Sequence, residues 1–276
     1  MLDFSLLAIK THLIASLLWA PNSIGQAVDM CRVLWREGES ITYERNTLCF
    51  NGEIHEDSDD LVVQKLADSI DMEYMVVNSK GGDVGAAISI AENTISNDFS
   101  IVVDGVCLSS CANYFFVAAK YRYLLEDSTV GWHGGPPRTF EEWVTIMSNS
   151  PQLQADQKSL EFAKKQYAEM HELFRRQKEL YRVASVSTTV VYDLDVVLSC
   201  LAEDQREAIN IVAEEEGSIA GFWAPSVRTL SLRYNFLNTI RLGRDKSDAI
   251  YVVHPTKEPT SYLIDLECLY LKFDRR

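Results

Sequence analysis

Two adjacent serines, Ser109 and Ser110, stand in the stretch GVCLSSCANYFF (residues 105–116), between Cys107 and Cys111. A strand-like apolar run precedes this stretch, and a bulky apolar run follows it. A serine hydroxyl on a sharp turn is a common nucleophile of acyl transfer. The same small residues also suit a crowded packing corner joined by a disulfide. The local sequence leaves both interpretations open.

A nucleophilic serine needs a base that takes its proton. Of the five histidines, His133 stands at an apparent strand end in VGWHGGPP, where the glycines permit close approach. The others lie in the N-terminal leader-like segment, an acidic loop, a long helical segment and near the end of the chain (His12, His55, His171, His254). A lone histidine also fits a structural role, so His133 is a base only if it meets a serine.

A second glycine-rich corner could supply hydrogen-bond donors for a developing oxyanion. The segment NSKGGDV follows a predicted strand, and Asp83 is placed to cap the helix that begins after it. Backbone N–H groups of Gly81 and Gly82 would then form an anion-binding corner. Glycine is also the default residue of any tight turn, so this signal alone is weak.

The elements around these corners predict how they are brought together. The strand EYMVVNS, the glycine turn, a helix and the strand FSIVVDG follow one another within about 35 residues, which is a βαβ unit with parallel strands. The apolar residues of the helix recur at helical spacing (Val84, Ala87, Ile88, Ala91, Ile95). Loops at the carboxyl ends of parallel strands share one sheet edge, so the two corners are predicted neighbours.

The other elements are predicted from periodicity. Short strands are expected over 32–54, an acid-capped helix over 56–70, a buried helix over 111–120 and a strand over 121–126. A long helix over 153–183 carries an apolar stripe (Leu160, Ala163, Tyr167, Met170, Phe174, Tyr181), which favours packing on its own domain over an intermolecular contact. Later segments predict a helix over 192–217, a short capped helix over 224–237 and strands over 248–255 and 260–273.

Composition narrows the function classes. The chain has 276 residues, 47% of them hydrophobic, which is enough for one sizeable core. Its formal net charge of -14, from 26 basic and 40 acidic residues, argues against nucleic acid, because phosphate binding draws on clustered lysine and arginine. No cofactor or metal is predicted.

The N-terminus predicts export. In residues 1–27 Lys10 and His12 precede a short apolar stretch, and small residues lead to a cleavage site after Ala27. The apolar stretch is too short to span a bilayer, and an uncleaved anchor is the less favoured alternative. In the periplasm or outside the cell the six cysteines would form disulfides. Cys31 and Cys49 flank strand-like segments around a glycine, which suggests a hairpin staple, whereas a reducing compartment would leave all six free.

The segments MVVNSKGGDVGAAISIAENTI and IVVDGVCLSSCANYFFVAAKYRYLLEDSTVGWHGGP, with their spacing, resemble the ClpP/crotonase superfamily. The exported ClpP-like members are the more similar, because G-x-C-x-S-x-C is typical of them. The resemblance covers residues 71–136 well, residues 30–70 loosely and the C-terminal third poorly. It implies an α/β fold of stacked βαβ units in a spiral core, here with a long helix and an elaborated C-terminal α+β segment.

The resemblance also implies roles for single residues. Ser109, four positions after Gly105, would be the nucleophile, and His133, 24 positions later, the general base. The backbone N–H groups of Gly82 and Ser110 would form the oxyanion hole, so Ser110 would contribute its main chain rather than its hydroxyl.

The chain departs from the family pattern around the nucleophile. Lys80 stands where the family has proline, which places a cation near the site. Cys107 and Cys111 replace small residues. In a regular helix the Cβ atoms of positions i and i+4 lie about 5–6 Å apart, too far for a disulfide. The pair can close only if Cys107 precedes the helix, as the turn presenting the serine requires.

The sequence offers several candidates for the acid that would orient the histidine. The family has an aspartate about ten residues before an A-P turn, and Glu215 lies at that distance before Pro225. Asp193 and Asp195 are the other candidates. A run of three glutamates is usually a solvated surface. Histidine without an acid still acts as a base, though a weaker one.

Other chemistries remain as alternatives. A related exported branch, the signal-peptide peptidases, uses a lysine base, which Lys158, Lys164 or Lys165 could supply. A cysteine nucleophile is disfavoured in an oxidising compartment. A zinc site of Cys107, Cys111 and His133 lacks a fourth ligand in a recognisable pattern. Crotonase-like chemistry acts on a CoA thioester, and an exported protein would not meet CoA. The sequence also shows no cluster of basic residues that would bind the CoA phosphates.

The sequence therefore predicts an exported serine hydrolase, a peptidase acting on peptide or protein substrates. A catalytically inactive protein that binds a peptide or protein partner is the alternative. The predicted organisation is a signal peptide (1–27), a ClpP-like core (28–183) and a C-terminal elaboration of the same domain (184–276). Homo-oligomers are common in the superfamily, and the sequence gives no indication of an ATPase partner.

Overall fold

The computed structural model describes residues 23–66, 72–148, 157–216, 221–253 and 258–273, without the side chains of 146–148, 157–163 and 211–216. The helices are α1 (Ile24–Arg36), α2 (Ser58–Leu66), α3 (Val84–Thr94), α4 (Phe116–Ala118), α5 (Phe140–Ser148), α6 (Gln157–Ala184), α7 (Thr189–Tyr192), α8 (Leu194–Leu198), α9 (Glu203–Glu216), α10 (Val227–Tyr234) and α11 (Leu266–Phe273). The strands are β1 (Ile41–Glu44), β2 (Thr47–Asn51), β3 (Tyr74–Ser79), β4 (Ser100–Leu108), β5 (Tyr121–Leu125), β6 (Thr129–Gly131), β7 (Gly221–Ala224), β8 (Thr239–Leu242), β9 (Ala249–Val252) and β10 (Thr260–Leu263).

The main sheet has the strand order β1-β2-β3-β4-β5-β8, and β6 also pairs with β4. Only β1 is antiparallel to its neighbour; the pairs from β2 to β8 are parallel. Helices α2 and α3 connect β2 to β3 and β3 to β4, as parallel pairing requires. The predicted α/β fold class is confirmed.

Strand β4 changes partner along its length, and this change positions the site. Its first part pairs with β5 over residues 100–103 and its last part with β6 over residues 106–108. Between them Gly105 has φ +106°, and a Cβ there would collide with the side chain of Asn78. The Asn78 Oδ1 atom accepts the Val106 N–H at 3.1 Å. The irregularity thus carries the end of β4 to the end of β6.

A smaller antiparallel sheet, β10-β9-β7, comes from the C-terminal part of the chain. It meets the main sheet at an isolated bridge between Trp132 and Trp223. The Trp132 N–H donates to the Trp223 carbonyl at 2.9 Å, and the Trp223 N–H donates back at 2.6 Å. The residue after Trp132 is therefore positioned by a strand residue, Trp223, that lies 91 positions later in the sequence.

The prediction of strands from residue 32 is wrong for the first part of that segment, because α1 extends to Arg36. Ser23 caps α1 by accepting the Gln26 N–H, and a buried face packs the helix on the sheet (Ala27, Val28, Cys31). The hairpin turn lies at Arg45 and Asn46, which both have positive φ, and not near Gly38. The predicted pair Cys31–Cys49 is present, but it joins α1 to β2 instead of closing a hairpin.

The predicted cleavage site lies inside α1. Ala27 is fully buried, and cleavage after it would remove the Ser23 cap and the first turn of the helix. Residues 1–22 lie outside the described residues. Among the described helices, none is both long and apolar enough to cross a membrane.

Several predicted helices are confirmed with changes. The segment predicted over 56–70 is α2, in which Val62 is buried but Leu61 is 40% exposed, while Ile70 lies outside the described residues. The segment 111–120 is a π-helical turn (Cys111–Phe115) followed by α4. The long helix is α6, and its buried residues cluster near its end (Gln177, Leu180, Tyr181).

The C-terminal third is more broken than predicted. The single helix predicted over 192–217 is instead two separate helices, α8 and α9, preceded by the last residue of α7. The second half of the strand predicted over 260–273 is the helix α11. Strands β7 and β8 were not predicted. The short capped helix is α10, with Ser226 as its N-cap, and β9 matches the strand predicted over 248–255.

Residues of the main sheet region and of the C-terminal third share one hydrophobic core. Phe236 packs against Phe116 and Trp132, with ring centroids 5.6 and 5.9 Å apart. Ile250, Leu269 and other C-terminal residues belong to the same cluster. A third disulfide, Cys200–Cys268, joins the segment after α8 to α11. The C-terminal third is therefore packed into the body that carries the candidate site.

Candidate active site

The first predicted site residue, Ser109, occupies a sharp turn between β4 and the helical segment that follows. Its φ is +54°, in the left-handed region that non-glycine residues rarely adopt. The Ser109 N–H donates to the Gly131 carbonyl at 3.0 Å, and its own carbonyl accepts the Asn113 N–H at 2.8 Å. A strained backbone held by bonds on both sides is typical of a functional position.

The Cys107–Cys111 disulfide encloses this turn. Cys107 lies in β4 and Cys111 begins the π-helical turn, with Cα atoms 5.2 Å apart. The condition stated from the sequence, that Cys107 precedes the helix, is met, and the predicted pair is present. The bridge crosses the base of the turn that presents the serine hydroxyl.

The second predicted residue, His133, lies two positions after β6. Leu108 pairs with Gly131 in the parallel ladder, so Ser109 and His133 follow neighbouring strand ends. The His133 Nε2 atom is 2.6 Å from the Ser109 Oγ atom, which is a short hydrogen bond. The structure therefore brings together the two residues that the sequence paired by spacing.

Burial sets the electrostatics of the histidine. Desolvation lowers the pKa of His133 below its ordinary value, because the imidazolium is the form that burial destabilises. A neutral ring whose Nε2 accepts from Ser109 carries its proton on Nδ1. The Phe222 ring stands edge-on to the imidazole at 5.1 Å between centroids. Among the described residues, none pairs with the buried Nδ1 atom.

The glycine corner lies directly against the serine turn, as predicted. A Cβ on Gly81 would be 2.7 Å from the Ser109 Cβ and 2.9 Å from the Ser110 nitrogen, so only glycine permits this approach. A Cβ on Gly82 would overlap the Ile54 backbone, with which Gly82 forms a bridge. The Ser110 hydroxyl donates to the Gly82 carbonyl at 2.8 Å and joins the two corners. This bond was not predicted.

Two main-chain N–H groups, those of Gly82 and Ser110, are candidate donors where the glycine corner meets the serine turn. The Ile54 bridge uses the Gly81 carbonyl and the Asp83 N–H, which leaves the Gly82 N–H without an acceptor among the described residues. The Ser110 N–H belongs to the first turn of a helical segment, where no intrahelical acceptor exists. The Asp83 side chain caps α3 by accepting the Ala86 N–H at 2.7 Å, as the sequence indicated.

A cavity of about 390 Å³ opens beside the glycine corner. Its lining comes from the ends of β2 and β3, the glycine turn and β4 (Asn51, Gly52, Glu53, Asn78, Lys80, Gly81, Gly82, Val106). Lys80 is exposed and lies in this wall. The lysine that stands where the family has proline thus places a cation in the wall of the cavity beside the glycine corner.

The acid candidates do not meet His133 in the described residues. Asp193 is buried, but its carboxylate accepts from the Tyr234 hydroxyl at 2.8 Å and pairs with Arg233 at 3.2 Å. Asp195 is exposed. Glu215 lies in α9, with its side chain outside the described residues. The role of orienting acid therefore stays a prediction for Glu215, whereas Asp193 is engaged in a structural ion pair.

The alternative chemistries find less support. Lys164 and Lys165 are exposed on α6, and the side chain of Lys158 lies outside the described residues. Cys107 and Cys111 are joined to each other, so neither provides a thiolate. In the part of the chain that the structure describes, no group of three or more histidine, cysteine or acidic side chains could hold a metal ion.

Two features near the histidine were not predicted. Asn113, in the π-helical turn, donates from its side-chain amide to the Gly134 carbonyl at 2.8 Å. Trp223 holds the backbone of Trp132. A polar residue within the apolar run CANYFF was a visible signal for Asn113, but a local pattern gives no signal for a strand pairing as distant as that of Trp223.

Comparison with known proteins agrees with this arrangement. The family model described as Clp protease matches residues 34–161, a range that contains Ser109, His133 and the glycine corner. A search of curated proteins found none that matches the chain. The parallel-rich α/β fold is consistent with a ClpP-type fold. Residues 34–161, slightly less than half of the chain, are therefore similar to the Clp protease family, and the match supports a ClpP/crotonase-like assignment for that part of the chain.

Proposed function

We propose that this protein is a serine hydrolase, and more narrowly a peptidase, with Ser109 as nucleophile and His133 as general base. The observation that carries the proposal is the 2.6 Å contact between Ser109 Oγ and His133 Nε2, on a serine whose φ is +54°. A serine that merely fills a packing corner needs neither feature. The match to the Clp protease family supports the hydrolase class.

The steps follow from these positions. The Ser109 hydroxyl attacks the carbonyl carbon of a peptide bond, and its proton passes to His133 Nε2. The tetrahedral oxyanion accepts hydrogen bonds from the Gly82 and Ser110 N–H groups. The imidazolium then gives the proton to the leaving amine, so the C–N bond breaks and the carboxy-terminal part of the substrate departs, while the amino-terminal part stays on Ser109 as the acyl-enzyme. Water, deprotonated by the same nitrogen, hydrolyses the acyl-enzyme and restores the serine.

The neutral imidazole suits this role. Because burial lowers the pKa of His133, the ring is unprotonated at neutral pH and ready to accept a proton. A base without a paired acid is weaker than a complete triad. Glu215 is the proposed acid that would bring activity to the level of a triad; without it the site works as a Ser–His dyad.

Export is part of the proposal and rests on the cysteines. The six cysteines form three disulfides, a pattern that persists in oxidising compartments. Residues 1–27 are proposed to direct export, 28–183 to form the catalytic core and 184–276 to extend the same domain. Because a cut after Ala27 would open the folded α1, processing ahead of Ser23 fits the structure better. Peptide or protein chains are the proposed partners.

The test is covalent labelling of the purified protein by a fluorophosphonate probe, followed by mass spectrometry of the labelled peptide. Labelling is expected at Ser109, and its rate is expected to fall by at least about 10³-fold in Ser109→Ala. Ser110→Ala removes a neighbouring hydroxyl of the same size and is expected to keep labelling. His133→Ala is expected to lower it nearly as far, whereas Lys165→Ala, which removes one of the three lysines considered as alternative bases, is expected to leave it unchanged.

A second candidate is a catalytically inactive protein that binds a peptide at the same corner. The absence of an acceptor for His133 Nδ1 among the described residues favours it. A folded wild-type protein that is not labelled and that hydrolyses no casein-derived peptide would favour binding over hydrolysis. Peptide binding by fluorescence polarisation would then be measured with the same Ser109→Ala protein.

A further inference from the structure

We propose that Asn113 is a positioning residue for His133, acting through the Gly134 carbonyl. The inference rests on the proposed function, because it assigns His133 the role of base. Asn113 touches neither the imidazole nor a substrate. Its side chain fixes the main chain immediately after the histidine, so the imidazole is held in reach of the Ser109 hydroxyl.

Asn113 bonds to both halves of the site. Its backbone N–H donates to the Ser109 carbonyl at 2.8 Å, and its side-chain amide donates to the Gly134 carbonyl at 2.8 Å. One residue therefore connects the main chain of the nucleophile to the main chain next to the base. The connection fixes the separation of the two strand ends independently of the side-chain bond between Ser109 and His133.

The histidine loop needs such a connection. Residues 133–135 have no regular structure, and Gly134 has φ +141° with open space around the position of a Cβ. Before the histidine, the backbone is held by the two bonds between Trp132 and Trp223. After it, the Asn113 bond is the first hydrogen bond to the main chain, and the Tyr192 hydroxyl donates to the Pro136 carbonyl at 3.0 Å. His133 is thus restrained on both sides.

The loss of stability that comes with burying the Asn113 side chain argues against a purely structural role for this residue. Asn113 is 3% exposed and its neighbours in the π-helical turn are fully buried apolar side chains. Its Oδ1 atom is buried and has no partner among the described residues. An unpaired buried polar atom costs stability, so leucine or another apolar residue would suit packing better. The favourable bond to Gly134 is what distinguishes asparagine at this position.

The test compares Asn113→Leu with Thr94→Val. Leucine has a similar volume and lacks the donor, and Thr94→Val likewise removes a buried polar group, one that bonds within α3 at 2.8 Å. Asn113→Leu is expected to lower kcat for a peptide substrate about 10- to 100-fold with KM little changed, because the donor acts on the base. Thr94→Val is expected to leave both unchanged. Asn113→Ala, which introduces no bulk, replaces the leucine variant if that protein fails to fold.

A second readout does not need activity. In nitrogen-15 NMR spectra of the wild-type ring, His133 is expected to show one fixed tautomer with its proton on Nδ1. In Asn113→Leu the ring signals are expected to average between tautomers. A folded Asn113→Leu protein with wild-type kcat and a fixed tautomer would overturn the inference. Failure of the proposed function is a different result: the wild-type protein itself then shows no labelling, while the tautomer comparison still tests the positioning.

Discussion

The two sides of the candidate site are supported by different parts of the chain. The nucleophile half, residues 79–83 and 107–113, is fixed by contacts with Ile54 and Gly131, all within residues 34–161. The histidine half, residues 129–136, depends on residues outside that range, since Trp223 bonds to its backbone and Phe222 contacts the imidazole. The nucleophile half is thus held by contacts within residues 34–161, whereas the histidine half also depends on the C-terminal third.

The C-terminal third also holds the turn that leads into β6. The Arg241 guanidinium donates to the carbonyls of Leu125 and Ser128 at 3.0 Å, and the Lys246 ammonium donates to the Asp127 carbonyl at 3.1 Å. These bonds fix the start of β6, the strand that leads to His133. The segment with the weakest sequence resemblance to the family therefore supports the proposed base.

Among the substitutions considered, Gly82→Ala is expected to disrupt the nucleophile half most strongly. The new Cβ would collide with the Ile54 backbone at φ +143°, and backbone cannot move aside as a flexible side chain can. We expect loss of labelling and a fall of about 3 kcal/mol or more in the free energy of unfolding. Urea denaturation and fluorophosphonate labelling measure the two effects.

The matched control for the histidine half is Gly134→Ala. Gly134 has a similar φ of +141° but no atoms near the position of a Cβ, so only the backbone strain remains. We expect a loss of about 1–2 kcal/mol in stability and retained labelling. If both alanine variants behaved alike, close packing of the glycine corner would not be what separates the two halves.

Removal of single disulfides tests which half each bridge supports. Chain-entropy arguments assign about 2 kcal/mol of stability to the short Cys107–Cys111 loop and about 4 kcal/mol to the long Cys200–Cys268 loop. We expect the double alanine variant at 107 and 111 to label about tenfold more slowly, because the serine turn loses its closure. The variant at 200 and 268 should lose more stability while the folded protein labels at the wild-type rate. The opposite ranking in labelling would contradict this assignment.

The pH dependence sharpens the description of the histidine half. Because burial lowers the pKa of His133, we expect the acid limb of kcat/KM to lie below pH 6.5, the ordinary value for histidine. The unfolded chain binds a proton more readily, so the related contribution to stability is present above about pH 6.5 and is lost as the pH falls toward the folded value. His133→Gln should remove this part of the pH dependence of unfolding. An acid limb at or above pH 6.5 would argue that the ring is not desolvated.

The smallest expected effect concerns the strain at Ser109. Glycine adopts φ +54° without the steric cost that serine or alanine has there. We expect Ser109→Gly to be about 1 kcal/mol more stable than Ser109→Ala, with both proteins inactive. Thermal unfolding of the two variants measures the difference. Equal stability would mean that the turn stores little strain.

The sequence was sufficient for the parts of the site that are local. Ser109, His133 and the two glycines lie close together in the structure, as their spacing in the sequence predicted. They meet because each follows a strand end of one parallel sheet. The same holds for the Cys107–Cys111 pair, whose closure depends only on where β4 ends.

Long-range contacts could not be predicted in this way. Helix α1 was interpreted as strand from residue 32, because its first turn, with the buried Ala27, lies in the segment assigned to the leader. The bridge from Trp223 to Trp132 and the pair Cys200–Cys268 join residues that no local period connects. Asp193 was a reasonable acid by residue type, but its carboxylate bonds to Tyr234 and Arg233 instead.

The Cys200–Cys268 bridge has one more consequence, which concerns proteolytic cleavage of this chain. Strands β7, β8 and β9 all lie between these two cysteines. A single proteolytic nick between them would leave the fragments covalently linked, so the strand that bonds to Trp132 could not diffuse away. Such a nicked molecule would migrate as one band without reductant and as two with it, and it would keep its histidine loop in place.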